Sequence, residues 1–506
     1  MNRRSFLKIT AAAVLSTSAA GCSAMTGNNG GKKPNIIVIL TDDLGWGDLS
    51  CYPQQRNREG VAIDTPNIDA LASSGVRCTD AYATCCICAP SRAGLMAGRY
   101  QQHFGYYEFY ETLAGIPKEE KTIAELLKEN GYSTAMFGKW HISQYEGPLD
   151  KGFDRFYGHL YGQHDYYDPR NGDNCLGISH AMDSYIMDQR TPIKGDTMEY
   201  LTDTLTDKTV DFIDRQSGTD KPFFIYLAYT APHPPLQAKW EKLEKYYPKK
   251  DKGFSQRDLA RAMIDSVDEG ITKIIDGLKK TGAYENTLIF FSSDNGGHDD
   301  GPGKALVQHN GGLRSRKGYL WEGGIRVPMI VSWPAKIKPG LTFTKPVSHL
   351  DIYATSAAAA GITDMPANKD GANLVPYLNN EMSEQPHEAL FWGFAADANR
   401  WAVRKGDWKL VRECPSPEAW LVRGDIRETA LFNLADDPSE KNNLLDKHPD
   451  KAKELFELKD GFYQKSKPTL VTEQMRNDWQ KEYKERMEKE PNPNALRRDG
   501  YPGCWK

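Results

Sequence analysis

Two acidic pairs, Asp42-Asp43 and Asp294-Asn295, each follow a short unbroken apolar run. All four side chains are hard oxygen donors, the kind that calcium and magnesium take. Each pair is equally at home as a helix cap or a turn, and Asp-Asn-Gly is a common turn. The pairs stand far apart in the chain, so only the fold can unite them. A third group centres on Cys88, in the run Cys88-Ala89-Pro90-Ser91-Arg92-Ala93-Gly94-Leu95-Met96-Ala97-Gly98-Arg99. The proline and the helix-like residues after it place the thiol near a helix N-terminus. There the dipole favours an anion, and so a nucleophilic thiolate. A buried structural cysteine fits the same residues. Taken singly, Lys139 and Lys317 read as solvated charges. His141 and His233 read as structural histidines with satisfied ring nitrogens.

Such residues can act together only if the scaffold brings strand ends to one edge. Residues 35–40 contain Ile36-Ile37-Val38-Ile39-Leu40, a run suited to a buried parallel strand that ends at Thr41-Asp42-Asp43. Residues 287–293 form a second such run, and it ends at Asp294. Residues 132–140 and 223–229 predict two more strands, the latter broken by Pro232, Pro234 and Pro235. Helices are predicted between them. Thr65 and Pro66 open one as N-cap and first turn, Ile68 and Leu71 share its face, and Gly75 caps its end. Thr122 and Glu125 form a capping box ahead of Ile123, Leu126 and Leu127, with Gly131 as the stop. Residues 257–280 carry Met263, Val267, Ile271, Ile274 and Leu278 at helical spacing, and Gly282 ends that helix.

Strands alternating with helices predict an α/β layered domain with a central, mostly parallel sheet, whose sites lie at the carboxyl ends of its strands. The pattern changes near Glu384. Residues 401–411 read as a hairpin turning at Lys405-Gly406-Asp407, residues 431–434 as a short strand and residues 449–465 as a helix. The expected organisation is an export signal over 1–22, a linker over 23–33, a catalytic domain over 34–384, and a smaller α+β domain with an antiparallel sheet over 385–506.

A hydrophobic fraction of 39% and a charged fraction of 26% over 506 residues fit a soluble globular chain that needs neither disulfide nor metal merely to fold. The net charge of −4, with no basic block, speaks against nucleic acid as a partner. An anionic substrate therefore needs a local cluster of cations. The nine cysteines show neither a small disulfide framework nor paired zinc spacing. Arg3-Arg4 ahead of an Ala-rich apolar run is similar to a twin-arginine export signal. Small residues before Cys22 resemble a lipoprotein cleavage site with Cys22 as the lipidated residue; an ordinary cleaved signal is the alternative. The run is too short to span a bilayer. The chain is expected to be exported to the periplasm or cell surface, with a lipid anchor to the outer membrane through Cys22 as the further expectation.

The segment Cys88-x-Pro90-Ser91-Arg92, followed by Gly94 and Gly98-Arg99, resembles the maturation signature of the type I sulfatases, within the alkaline-phosphatase-like superfamily. Gly138-Lys139-Trp140-His141, Ala231-Pro232-His233-Pro234, Ser293-Asp294-Asn295-Gly296, and Lys317 ahead of Glu322-Gly323-Gly324 resemble later motifs of that family. Asp437-Pro438-Ser439-Glu440 and Asn442-Asn443-Leu444 resemble its C-terminal signature. The resemblance covers residues 34–444 and implies an alkaline-phosphatase-like fold. It implies that a dedicated maturation enzyme oxidises Cys88 to formylglycine. As a hydrate, that group carries two hydroxyls on one carbon. One attacks sulfur and expels the alcohol, and the other collapses to the aldehyde and expels sulfate. One divalent cation, calcium with magnesium as the alternative, is implied at Asp42, Asp43, residue 88, Asp294 and Asn295. Arg92, Lys139 and Lys317 would offset the sulfate charge. His141 would assist the eliminating hydroxyl, and His233 with Lys317 would protonate the leaving oxygen.

A sulfated glycan is the leading substrate. Residues 159–183, with His164-Asp165-Tyr166-Tyr167-Asp168, read as a loop suited to sugar faces and hydroxyls, or as an exposed tyrosine-rich surface. His103, Tyr106, Tyr107 and His298 are further candidates for the site wall. Cys85 and Cys86 crowd Cys88, and a disulfide among them would block maturation. Two rivals remain: a formylglycine-dependent phosphonate or phosphate ester hydrolase, and a non-catalytic surface glycan-binding lipoprotein.

Overall fold

The structure is a computed structural model of the chain and describes residues 32–52, 63–170, 172–173, 185–195, 197–246, 253–298, 307–394, 399–415 and 427–489. The export-signal residues, Cys22, Cys175 and Cys504 lie outside these. Lys33–Lys506 cluster as one compact unit that holds two main sheets.

The apolar runs become strands because both faces of each are covered. Strand β1 is Asn35–Thr41, β2 is Val76–Tyr82, β3 is Ser133–Lys139, β4 is Arg155–His159, β5 is Phe223–Ala228, β6 is Thr287–Ser293 and β7 is Arg326–Ser332. They form the body of an 11-stranded sheet in the order β2-β7-β6-β1-β5-β3-β4, widened by short strands at both edges. From β6 through β4 the pairings are parallel, whereas β7 runs antiparallel between β6 and β2. Alternate residues serve opposite layers. Ile36, Val38 and Leu40 join one apolar cluster and Ile37 and Ile39 the other, the period of two that a strand imposes.

Helices α1 (Pro66–Ser73), α4 (Leu201–Gln216) and α5 (Gln256–Lys280) cover one face. Helices α2 (Cys88–Ala97), α3 (Ile123–Glu129) and α6 (Leu350–Ala359) cover the other. The capping box of α3 forms as expected, with Glu125 N donating to Thr122 Oγ1 at 3.1 Å and Thr122 N to Glu125 Oε2 at 2.8 Å. The start of α1 differs from expectation. The Thr65 hydroxyl donates to Asp69 instead of capping. The first amides of α1, Asn67 N and Ile68 N, donate to Asp268 Oδ1 of α5 at 3.1 and 2.8 Å. A carboxylate acceptor from a neighbouring helix replaces the local hydroxyl. Gly75 is not a helix cap either: Ser74 holds that place, and a Cβ at Gly75 would lie 2.3 Å from the Val331 carbonyl oxygen. Close approach to β7, not turn geometry, requires glycine there.

The C-terminal region forms the expected antiparallel sheet: β8 (Leu390–Phe394), β9 (Arg400–Lys405), β10 (Trp408–Glu413) and β11 (Glu428–Asn433), followed by α7 (Pro449–Tyr463) and α8 (Glu473–Lys489). A buried charge network ties it to the large sheet. Lys409 of β10 lies 2.9 Å from Glu322 and 2.8 Å from Glu440, all three side chains fully buried. Burial pushes the Glu440 carboxyl up to about 7 against the pull of Lys409. Among the described residues, no helix is long and apolar enough to cross a membrane.

Candidate active site

Register decides which strand ends meet. β1 and β6 run parallel with Thr41 opposite Ser293, so the next residues, Asp42 and Asp294, leave the sheet side by side. On the other flank Leu40 pairs with Ala228, and Ala228 with Gly138. Lys139 therefore ends level with the acids. The loop that follows β5 delivers His233 to the same edge. Helix α2 opens at Cys88 and is buried along its whole length, so its N-terminus faces this edge from one layer.

All ten residues singled out for chemistry or metal binding join one cluster. Ligand atoms of Asp42, Cys88 and Asp294 lie within 4.8 Å of one another, and those of Asp42, Asp43 and His233 do likewise. Lys139 Nζ donates to Asp42 Oδ2 at 2.5 Å. Arg92 Nε donates to Asp294 Oδ2 at 2.9 Å, and its Nη1 to the Lys139 carbonyl at 2.8 Å. Lys317 Nζ lies 2.8 Å from Asp43 Oδ1, and His233 Nε2 3.6 Å from Asp43 Oδ2. Asn295 Nδ2 donates to Asp43 Oδ1 at 2.7 Å. The His141 side chain hydrogen-bonds to Cys88. Asp43 and His141 hold positive φ, 65° and 49°, a conformation that costs energy in a non-glycine residue and clusters at functional sites.

Electrostatics sort these groups. Burial pushes Asp42 well above the ordinary carboxylate range, and Asp294 adds to it against Lys139 and Arg92. Burial also raises Asp43, but Lys317, His233 and His298 overcome it and hold that carboxyl low. Burial and Lys317 push His233 well below its usual value; burial, with Lys139, lowers His141 despite Cys88. Both imidazoles are therefore neutral near pH 7. His233 Nδ1 faces the Pro234 carbonyl at 2.6 Å. A carbonyl only accepts, so the proton sits on Nδ1 and Nε2 presents a lone pair.

The donor set fits a hard divalent cation. Asp42 Oδ1 and Asn295 Oδ1 are buried without a hydrogen bond. Unpaired buried oxygens beside three carboxylates are costly unless a cation satisfies them.

Other candidates fall elsewhere. Tyr166 is fully buried, and its hydroxyl donates to the His233 carbonyl at 2.9 Å. Asp165 takes the amides of Tyr167 and Asp168 and the side chain of Gln237. This stretch braces the His233 loop instead of presenting a tyrosine-rich surface; residues 171 and 174–183 of the expected loop lie outside the described residues. His103 packs on Phe462, Tyr106 donates to the Ile142 carbonyl and Tyr107 to that of Lys467, so all three are engaged in the surrounding packing. Cys85 and Cys86 are buried free thiols in mutual contact. The sequence placed Ser293 in a motif without giving it a role, and its hydroxyl accepts from Leu44 N and donates to the Asn295 carbonyl; sequence reasoning missed Gln308, which donates to the Pro232 carbonyl. Ser293 was legible as a hydroxyl at the strand end; Gln308 carried no local signal.

A mostly parallel layered sheet with a buried cluster of acids, cations and histidines at its carboxyl edge is the frame of an α/β enzyme. Residues 34–362 match the family model described as Sulfatase, and residues 315–468 match N-sulphoglucosamine sulphohydrolase, C-terminal. The uncharacterized sulfatase YdeN of Escherichia coli (strain K12) is 35% identical, over 71% of this chain and 68% of its own. The N-acetylgalactosamine-6-sulfatase of Canis lupus familiaris is 31% identical, over 85% of this chain and 84% of its own. A crystal structure of Ps i-CgsB in complex with k-i-k-neocarrahexaose has a TM-score of 0.75 and 32% identity, and covers 90% of this chain and 99% of that one. The chain belongs to the sulfatase family and is a sulfuric ester hydrolase.

Proposed function

We propose that the enzyme removes sulfate from a sulfated carbohydrate, using formylglycine made from Cys88 by a maturation enzyme and one divalent cation. The observation that carries this reading is the balance of charge around residue 88. Three carboxylates, Asp42, Asp43 and Asp294, face three cations, Arg92, Lys139 and Lys317. A divalent cation held by Asp42, Asp43, residue 88, Asp294 and Asn295 would leave two positive charges over. An ionised nucleophile and a sulfate monoanion offset these two; a phosphate monoester dianion would overshoot. The cation, calcium with magnesium as the alternative, would supply Lewis acidity and lower the pKa of a coordinated hydroxyl. Formylglycine would supply a hydrated nucleophile with a second hydroxyl as a built-in exit.

The chain's own residues do the rest. Neutral His141, in contact with residue 88, is placed to take a proton there. Lys317 offers N–H donors to the leaving oxygen. His233 presents Nε2 as an acceptor, so it can pass a proton to the leaving oxygen only after taking one there, from the neighbouring Lys317 ammonium or from solvent. Arg92 and Lys139 fix the acids and offset the sulfate charge.

A carbohydrate substrate is supported by the relatives: one is named for N-acetylgalactosamine-6-sulfate and one was solved with a neocarrahexaose. Export to the periplasm or cell surface, with Cys22 as a lipid anchor, is supported by Arg3-Arg4 and the small residues before Cys22. The test is mass spectrometry of the peptide spanning Cys88 from a maturation-competent host, paired with sulfate release from carrageenan and glycosaminoglycan oligosaccharides. A peptide lighter by about 18 Da, as thiol-to-aldehyde oxidation requires, with sulfate release supports the proposal. An unmodified Cys88, or faster cleavage of matched phosphate esters, overturns it.

A further inference from the structure

Arg92 is the hinge of the cluster. Its Nε and Nη1 make aligned hydrogen bonds to Asp294 and to the Lys139 carbonyl. Its Nη2 lies 2.8 Å from Asp294 Oδ2 and 3.8 Å from Asp42 Oδ2, but no aligned hydrogen bond satisfies it. A second buried polar atom is in the same position, the hydroxyl of Tyr226. The guanidinium and the phenol lie close enough that each bears on the electrostatics of the other.

Tyr226 belongs to the middle of β5, in register with Val38 of β1 and Met136 of β3. Its ring packs in the same apolar layer as α2, the helix that carries Arg92. The strand reads Phe-Phe-Ile-Tyr-Leu-Ala, and this is its one hydroxyl. Burying a phenol costs free energy unless the oxygen is paired, and a phenylalanine would fill the same space without that cost. The hydroxyl is therefore explained by its charged neighbour, the guanidinium of Arg92, which a small turn of the phenol would bring into hydrogen-bond range.

We propose that Tyr226 is a positioning residue that acts through Arg92, its oxygen accepting the otherwise unsatisfied Nη2–H and fixing the guanidinium plane against Asp294 and Asp42. Tyr226 is fully buried within the strand layer. Loss of its oxygen lets the guanidinium rotate, and the two carboxylates lose a fixed orientation. Partners of this kind, one shell behind the ligands, commonly matter by ~10–100-fold in metal affinity or activity. The proposal rests on the ion site proposed above for its calcium readout, but the contact to Arg92 does not depend on that site.

The test is a double-mutant cycle of Tyr226→Phe with Arg92→Lys. It reads kcat and KM on an aryl sulfate, calcium affinity by calorimetry, and thermal midpoint without calcium. Tyr226→Phe is expected to lower kcat and calcium affinity by ~10-fold or more while KM stays within about twofold. Its midpoint is expected to hold, because the ring and its packing remain. In the Arg92→Lys background, the same substitution is expected to change kcat and calcium affinity by less than about twofold. Equal losses in both backgrounds would overturn the proposal, as would a kcat loss that tracks a falling midpoint. If wild type binds calcium but cleaves no sulfate ester, the functional reading fails, and the cycle in calcium affinity still decides on Tyr226. If it does neither, crystal structures of wild type and Tyr226→Phe decide: a guanidinium in the same place in both overturns the proposal, and a rotated one sustains it.

Discussion

Lys139→Met removes a buried charge while keeping the length of the side chain. The ammonium lies 2.5 Å from Asp42 Oδ2, with both side chains fully buried. At an effective dielectric of ~20, a fully ionised pair at that separation attracts by about 7 kcal/mol, an upper bound here because burial pushes Asp42 toward its neutral form. Two terms reduce the loss. Arg92 remains 3.8 Å from the same oxygen, and methionine avoids the desolvation cost of lysine. The net destabilisation of the calcium-free protein is expected at ~3–5 kcal/mol, the usual cost of stranding one partner of a buried pair. Calcium should reverse part of it, because the ion neutralises the stranded carboxylate and no longer meets a neighbouring ammonium. Calcium should therefore bind more tightly to the variant even as turnover falls, by ~10²–10³ for a lost charge-stabilising donor. Denaturation with and without chelator, calorimetry with calcium and kcat on an aryl sulfate measure the three effects. A calcium-free protein as stable as wild type, or weaker calcium binding, refutes the reasoning.

Three other outcomes follow from the same contacts. Burial and Lys139 lower the pKa of His141 from its ordinary 6.5, so its neutral form persists to lower pH. The acid limb of kcat/KM is expected below pH 6.5, and the stability held by the neutral ring falls away as pH drops below that value; a limb above it in the pH profile contradicts this base. Glu440, held up at about 7, contributes stability that is present below 4.5 and lost as pH rises through about 7. Glu440→Gln should therefore gain on wild type between about pH 5 and 8 in urea denaturation, whereas Lys409→Met, which strands the Glu440 carboxylate and leaves Glu322 to Arg326, should lose ~3–5 kcal/mol at the upper pH. Asp268→Ala removes the cap of α1 supplied by α5 and should cost about 1–2 kcal/mol with kcat unchanged, read by urea denaturation and an activity assay.

The central strands and the C-terminal hairpin were legible because their signals are local. A run such as Ile36-Ile37-Val38-Ile39-Leu40 suits few other environments, and the capping box at Thr122 and Glu125 closes within one turn of helix. The residue types of the site were legible too, since the motifs around Cys88, Lys139, His233 and Asp294 name their chemistry. What the sequence could not give is anything set by segments hundreds of residues apart. Asp42 and Asp294 become neighbours only through the parallel register of β1 with β6. Thr65 lost its capping role to an aspartate on α5. His103 and Tyr166, polar enough to suggest a substrate wall, are buried as braces because α7 and the His233 loop cover them. The tautomer of His233 follows from one carbonyl, and the hydroxyl of Tyr226 gains meaning only beside Arg92. Composition and short-range pattern determine which elements form and which side chains carry chemistry. Burial, charge neighbours and hydrogen-bond partners depend on long-range packing, and the tertiary structure alone decided those.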